Sequence, residues 1–333
     1  RGEGTFCTGE GGGEGALPAP PAEIGLSVVA LPPGELPARS RGLQVSASDW
    51  GGVGLLQTPT ARMRSAGQFT FNLTRVYPYT QGNIFMQPFD WMEAGFRYTD
   101  ISNRLYGPPE LSGSQSNKDK SIDVKIRLWP ESAYVPQIAA GLHDVAGTGL
   151  FSGEYLVASK RTGDFDWSLG MGWGYVGGRG SLRNPLGVLS PAFDTRNTAS
   201  VAGQGGNFAL SNYFRGPTSL FGGVQYQTPW DKLSVKLEYD GNDYQHEPQT
   251  NNQTQSSPFN FGLVYRAGSA VDLTVGVERG NTLTLGLTLH GQLDGLGTPK
   301  VSDPPRVAVV ATRPAKAPDW SLTAGDIKRQ SDW

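Results

Sequence analysis

The chain is poor in the residues that build most metal and disulfide chemistry. Of its 333 residues one is cysteine (Cys7) and three are histidine, His143, His246 and His290. A lone cysteine excludes an intramolecular disulfide and any multi-cysteine zinc or iron–sulfur centre. The three histidines stand far apart and in no ligand spacing, so neither a metal nor another cofactor is expected. Charge is scarce as well, at 17% of residues against about 25% in an ordinary soluble domain. With 28 Lys+Arg against 30 Asp+Glu the formal net charge is −2. Nucleic acid is therefore not an expected partner, because phosphate binding needs a surplus of cations. No stretch approaches the roughly 18 uninterrupted apolar residues of a membrane-spanning helix. That leaves open a spanning β-strand, which needs only about 9–11 residues of alternating polarity. Amphipathic helical patterns of useful length are missing too.

What the chain has is glycine, 46 residues of it, and alternation. Residues 1–48 are rich in Gly, Pro and Ala and read as a flexible leader carrying Cys7. Residues 292–333 are a Pro-rich, unpatterned tail, the possible start of a further domain. Between them, over 49–291, segments of period two are separated by Gly, Pro, Asn and Asp turns. Leu283, Leu285, Leu287 and Leu289 point one way and Thr282, Thr284, Gly286, Thr288 and His290 the other. The same alternation marks 69–73, 92–98, 122–128, 165–175, 233–239 and 271–277, with weaker strands near 52–57, 82–88, 135–144, 151–160, 218–227 and 258–267. That is about 12 strands, at most 13, in an antiparallel meander with longer connections near 102–118, 177–216 and 242–257.

A soluble β-sandwich alternates as a membrane barrel does, but with the apolar face turned in instead of out. Three features favour the barrel. The polar face is heavy in Gly, Thr, Ser and Asn, and Gly weakens a strand unless side chains must be kept out of a crowded interior. Aromatic residues gather near strand ends, at Tyr98, Trp129, Tyr134, Tyr155, Trp173, Tyr175, Tyr226, Trp230, Tyr239 and Tyr244, as an interfacial girdle requires. Many adjacent hairpins make a sheet that must close or expose its edges. The fold class read from the sequence is all-β: a transmembrane antiparallel up-and-down β-barrel, with Trp167 and Trp173 facing lipid.

Several long words of the sequence carry a resemblance. Asp49-Trp-Gly-Gly-Val-Gly-Leu-Leu-Gln-Thr-Pro-Thr-Ala-Arg-Met63 resembles the start of the YjbH-type exopolysaccharide-biosynthesis outer-membrane proteins. So do Gln87-Pro-Phe-Asp-Trp-Met-Glu-Ala-Gly-Phe-Arg-Tyr-Thr-Asp-Ile101, Lys118-Asp-Lys-Ser-Ile-Asp-Val-Lys-Ile-Arg-Leu-Trp129 and Gly147-Thr-Gly-Leu-Phe-Ser-Gly-Glu-Tyr-Leu-Val-Ala-Ser-Lys-Arg161. Shorter words continue in order through Val277-Glu-Arg-Gly-Asn-Thr-Leu283, so the likeness covers 49–290. It implies a Gram-negative outer-membrane β-barrel of a polysaccharide secretion system. The implied partners are outer-membrane lipid, the exopolysaccharide chain and periplasmic export components. Chains of this family are usually much longer than this one.

No enzyme is expected. Ser152, Ser159 and His143 have no spacing that supports a nucleophile–base pair, and isolated Ser and His are ordinary barrel residues. Inward acids could pair as in a glycosidase, but neighbouring cations suggest mutual ion pairing instead. The Gly-rich run 172–180 is followed by no helix pattern, which rejects a phosphate loop. The expected mechanism is passage of a polymer through a hydrophilic bore. Its candidate lumen residues are Glu93, Arg97, Asp123, Lys125, Arg127, Glu154, Lys160, Lys236, Glu238 and Glu278. The alternatives are a plugged structural or assembly barrel, closed by 177–216, and an outer-membrane carbohydrate-active enzyme.

Overall fold

A computed structural model of the chain describes residues 44–196 and 212–293. The expectations for most of the leader, Cys7 included, and for the tail beyond 293 lie outside the described residues. Twelve strands follow one another: β1 (Gln68–Val76), β2 (Tyr79–Phe89), β3 (Met92–Leu105), β4 (Ser116–Trp129), β5 (Gln137–His143), β6 (Gly153–Thr162), β7 (Phe165–Gly174), β8 (Thr218–Gln227), β9 (Leu233–Tyr239), β10 (Phe259–Arg266), β11 (Val271–Glu278) and β12 (Thr282–Gln292). Each pairs antiparallel with its neighbours in sequence, and β1 pairs with β12, Phe71 opposite Leu289, so the sheet closes on itself. Closure removes every sheet edge. Residues 52–57 are not a strand. Gly51, Gly52, Gly54 and Pro59 break that stretch, which runs inside the barrel; removing it from the strands read in the sequence leaves these twelve.

The two mouths differ. At one, the connections are 90–91, 130–136, 163–164, 228–232 and 267–270. At the other lie 106–115, 144–152, 175–217 and 240–258, together with the tight β1–β2 and β11–β12 turns. In the last of these Arg279 and Gly280 both hold positive φ, 56° and 72°, and the Asn281 amide bonds back to the Glu278 carbonyl. This is the mirror-image turn whose twist suits a two-strand hairpin.

The faces are inverted relative to a soluble protein. Arg97, Lys236 and Glu238 are 0% exposed, whereas Leu169 is 63% and Leu283 57% exposed. Outward rows of Leu, Ile, Val and Phe circle the barrel, far beyond the apolar patch a soluble monomer normally shows. Hydrocarbon is the solvent that makes such a surface favourable, and a closed barrel is one of two structures that can satisfy its backbone there. Stacked Phe89–Trp91 and Phe165–Tyr226 and the Trp230–Tyr265 pair ring the short-turn mouth. Tyr77, Tyr98 and Tyr239 stand near the other. Three members of the expected girdle lie elsewhere: Tyr155 is buried in the core, Tyr244 is buried in a long loop, and Tyr175 is half-buried in another. Trp173 is on the outer face, but it is 5% exposed and packs edge-on against Phe214 of the β7–β8 connection.

The inward glycines answer crowding. Gly95 faces Phe85, Gly141 faces Tyr155 and Gly170 faces Phe221, each directly across a strand pair. A Cβ on any of them would lie within 2.4 Å of the opposing ring. The aromatic side chain occupies the space the glycine leaves. If the outer face meets acyl chains, Leu169→Arg should cost about 2–4 kcal/mol of folding stability. Denaturant unfolding in lipid vesicles measures it; a substitution without effect at this exposed position would contradict the membrane-facing assignment.

Candidate functional site

The lumen is not empty. Residues 44–66 enter at the short-turn mouth, rise to Trp50 beneath the long loops, and return to the same mouth before β1 begins. Two bridges, Ala47 with Val53 and Gly54 with Pro59, give this re-entrant plug its local shape. It has too few internal bonds to satisfy its own backbone, and buried amides and carbonyls need partners. The wall supplies them.

Two carboxylates do most of this. Glu238 on β9 accepts hydrogen bonds from three consecutive plug amides, Leu56, Gln57 and Thr58, at 2.9–3.1 Å, and from the Thr58 hydroxyl at 2.8 Å. Asn260 of the next strand holds its other side at 2.7 Å. Glu93 on β3 accepts from the Val53 amide at 3.1 Å and pairs with Lys125 at 2.9 Å and Arg64 at 2.8 Å. Lys236 answers with its ammonium, donating to the carbonyls of Ala47, Gly54 and Leu55. Charge-assisted bonds of this kind are roughly twice as strong as neutral ones.

The remaining contacts complete a circle. The Asp49 carbonyl accepts from Thr74 on β1 and Asn83 on β2. Lys125 on β4 donates to the Val53 carbonyl, and Gln137 on β5 to that of Ala61. Ser159 on β6 accepts from the Ala61 amide, and Asp166 on β7 pairs with Arg62 at 2.6 Å. Gln225 on β8 donates to the Gln44 carbonyl and Arg266 on β10 to that of Val45. Glu278 on β11 accepts from Gln57, and Thr284 on β12 donates to the Asp49 carboxylate. With Glu93 and Lys236, every one of the twelve strands holds the plug by a side-chain hydrogen bond. At the tip the Arg97 guanidinium lies 4.2 Å from the centre of the Trp50 ring, a cation–π contact. Trp50 also meets Phe151 and Tyr175 edge-on. A cavity of ≈ 20 Å³ beside Trp50, Val53, Glu93 and Lys125 has room for a water molecule, not for a sugar ring.

Seven of the ten candidate residues, Glu93, Arg97, Asp123, Lys125, Lys236, Glu238 and Glu278, are buried on inward positions. Arg127 points inward at the short-turn mouth and is half-buried. Glu154 and Lys160 do not face the lumen. On β6 the inward residues are Tyr155, Val157 and Ser159. Glu154 and Lys160 pair in register with Trp173 and Trp167 on the outer face. Glu154 is buried there beneath the β7–β8 connection, paired with Arg196 at 2.8 Å and accepting from the Phe214 amide. Lys160 bonds carbonyls of the 130–136 turn. Of the described parts of the β7–β8 connection, Arg196 and Phe214 lie on the outer wall over Glu154, while Tyr175 and Val176 turn inward at the long-loop mouth, Tyr175 against Trp50 and Val176 into the cluster of Ala61; the segment that runs through the lumen is 44–66. Asp49, Trp50, Gln57, Thr58, Arg62 and Arg64 were missed as site residues. Their signal was the density of Gly and Pro over 51–59, which is poor strand material.

Over the plug, the 240–258 loop seals the long-loop mouth. Glu247 accepts from Tyr79, Tyr175 and Asn242. Burial pushes its carboxyl up to about 7, although these hydrogen bonds and the charge of Arg279 pull it down. Asp240, beside it, is pushed up to about 7 by burial and by the charge of Glu238.

The model of the family described as "Exopolysaccharide biosynthesis protein YbjH" matches residues 46–333. The protein named "Uncharacterized lipoprotein YjbH" of Escherichia coli (strain K12) is 47% identical over 252 residues. They make up 75% of this chain and 36% of that protein, so the chain spans about a third of this curated relative. Among solved structures, the NanC porin overlaps 68% of this chain and 98% of its own, at 10% identity and a TM-score of 0.32. The outer membrane phospholipase A from Escherichia coli overlaps 69% and 93%, at 11% identity and a TM-score of 0.29. The fold is defined by the register of the twelve strands.

Two expectations follow. Glu238→Gln removes the charge that holds three plug amides, about 1.5–3 kcal/mol, so hydrogen exchange at Leu56, Gln57 and Thr58 should speed up by roughly 10- to 100-fold. A Glu247 carboxyl raised above its ordinary 4.5 binds its proton more tightly when the loop is packed. Packing is therefore most stable below pH 4.5 and weakens as pH rises through 7. Hydrogen exchange over 242–257, corrected for its intrinsic rate, should show more opening at pH 8 than at pH 5, with a smaller difference in Glu247→Gln.

Proposed function

The chain belongs to the YjbH exopolysaccharide-biosynthesis family, and from that premise we propose that it is an outer-membrane barrel kept shut by its own segment 44–66. It serves the polysaccharide system as a closed structural or assembly element and performs no catalysis. One observation carries this reading: side chains from all twelve strands bond the plug. The exposed apolar belt supports a bilayer, and the fold and family support the outer membrane. Short turns mark the periplasmic side of such barrels, so residues 44 and 293 both emerge toward the periplasm. Export components of that compartment would meet the barrel there.

Passage of a polymer is the second reading, and one feature favours it. The plug enters and leaves by the same mouth, so it could withdraw without threading its chain through the wall. Conduction would then require breaking the Glu93, Lys236 and Glu238 contacts together. The freed bore would expose the same acids and cations to the polymer, among Thr, Ser and Asn that exchange hydrogen bonds with sugar hydroxyls at small net cost.

Single-channel recording in planar bilayers decides between them. The unmodified chain should show no steady open level, and deletion of 45–62 should produce stepwise currents. A steady porin-like current through the unmodified chain would overturn the closed barrel. Silence in both would remove the plug as the closing element.

A further inference from the structure

Among the described residues, charge on the outer wall gathers in one cluster. The charged side chains that point outward from the twelve strands are Arg75, Asp100, Lys118, Lys120, Glu154 and Lys160. Glu154 is covered by Arg196, and Lys160 bonds the turn at the short-turn mouth. The other four lie together on β1–β4 at the long-loop end. Strand register aligns them. Arg75 is opposite Thr80, Thr80 opposite Asp100, and Asp100 opposite Lys118. One step down, Leu73, Gly82, Tyr98 and Lys120 form the next row. The row below that, Phe71, Ile84, Phe96 and Ile122, is wholly apolar. The polar row therefore marks the edge of the hydrocarbon layer, where cations meet headgroups.

Three cations face one carboxylate. Lys118 is paired with Asp100 at 2.5 Å; Arg75 bonds Thr80 and lies over the Tyr77 ring; Lys120 is exposed. From β1 to β4 the row spans three inter-strand steps, about 14 Å. That width suits a headgroup with two separated phosphates better than one with a single phosphodiester. The wall beneath is not smooth. A Cβ added at Gly82 would meet nothing within 4 Å, which leaves a dent between Leu73 and Tyr98. A groove of ≈ 880 Å³ opens at Arg75 and Thr80 and runs over Leu73, Leu285 and Leu273, apolar along its length.

We propose that this wall binds a phosphorylated glycolipid of the outer leaflet, its phosphates held by Arg75, Lys118 and Lys120 and an acyl chain lying in the groove. The proposal rests on the outer-membrane reading above, and on the long loops facing outward, but not on the plug. Bound there, the lipid would fix the rotation and depth of the barrel in its leaflet.

The test is lipid binding to the full chain purified in detergent, read by native mass spectrometry. The probes are bis-phosphorylated lipid A, the same lipid dephosphorylated, and phosphatidylglycerol. Lipid A should bind best. Arg75→Gln with Lys120→Gln should weaken it by about 30-fold and Lys120→Gln alone by about fivefold, at the usual worth of one headgroup cation each. Lys160→Gln, at the other mouth, should leave it unchanged. Lys120 is exposed, so its single variant answers even if the double variant fails to fold. Equal binding of the dephosphorylated lipid, equal binding of phosphatidylglycerol, or no effect of Lys120→Gln would each overturn the proposal. Such a failure in a chain that still needs detergent would leave the closed barrel standing. A chain that stays monomeric in water without detergent would instead remove the membrane reading itself.

Discussion

The structure depends on one exchange of hydrogen bonds. A segment rich in glycine, with few backbone partners of its own, is drawn into a lumen whose side chains are polar and equally short of partners. Glu238 and Lys236 sit two residues apart on one inward row. One accepts from amides, the other donates to carbonyls. Neither could remain buried alone, because an uncompensated charge in a dry interior costs several kcal/mol. The plug and the wall therefore solve one problem for each other. Removing the plug would require water to take every one of those places.

This exchange explains why the interior is packed and not porous. Conventional barrel interiors of larger strand number hold water. Here inward glycines opposite Phe85, Tyr155 and Phe221 admit large rings, and Tyr155 and Phe221 pack with Ala61 and Val176 to form a small apolar core within the polar lumen. A second cluster, Trp50 with Tyr79, Ile101 and Phe151, joins the plug tip to the loops above it. The barrel is thus bound across its diameter as well as around its circumference.

Much of the fold was legible because β-structure writes itself in period two. The Leu283–Leu289 row and the Phe165–Trp173 row report their face without any tertiary information, and the number of such rows sets the strand count. The site was less legible. Alternation tells that Lys236 and Glu238 share a face, but not that a third segment lies against them. Residues 52–57 contain Val53, Leu55 and Leu56, enough apolar character to pass for a weak strand, and only the surrounding Gly and Pro argue otherwise. Glu154 and Lys160 were misplaced because β6 begins near a loop crossing. Local period there cannot tell which face of Gly153-Glu154-Tyr155 is inside, since Tyr155 and Leu156 are both apolar. Strand register to Trp167 and Trp173 decides it, and register is a property of the pair.

The most direct measurement is of the contact on which everything else rests. In the chain reconstituted in lipid bilayers, solid-state NMR can detect dipolar coupling between the Glu238 side-chain carboxyl carbon and the amide nitrogens of Leu56, Gln57 and Thr58. The account predicts coupling to all three, as oxygen–nitrogen distances of 2.9–3.1 Å require. Absence of that coupling, with the same amides exchanging freely with water, would contradict it.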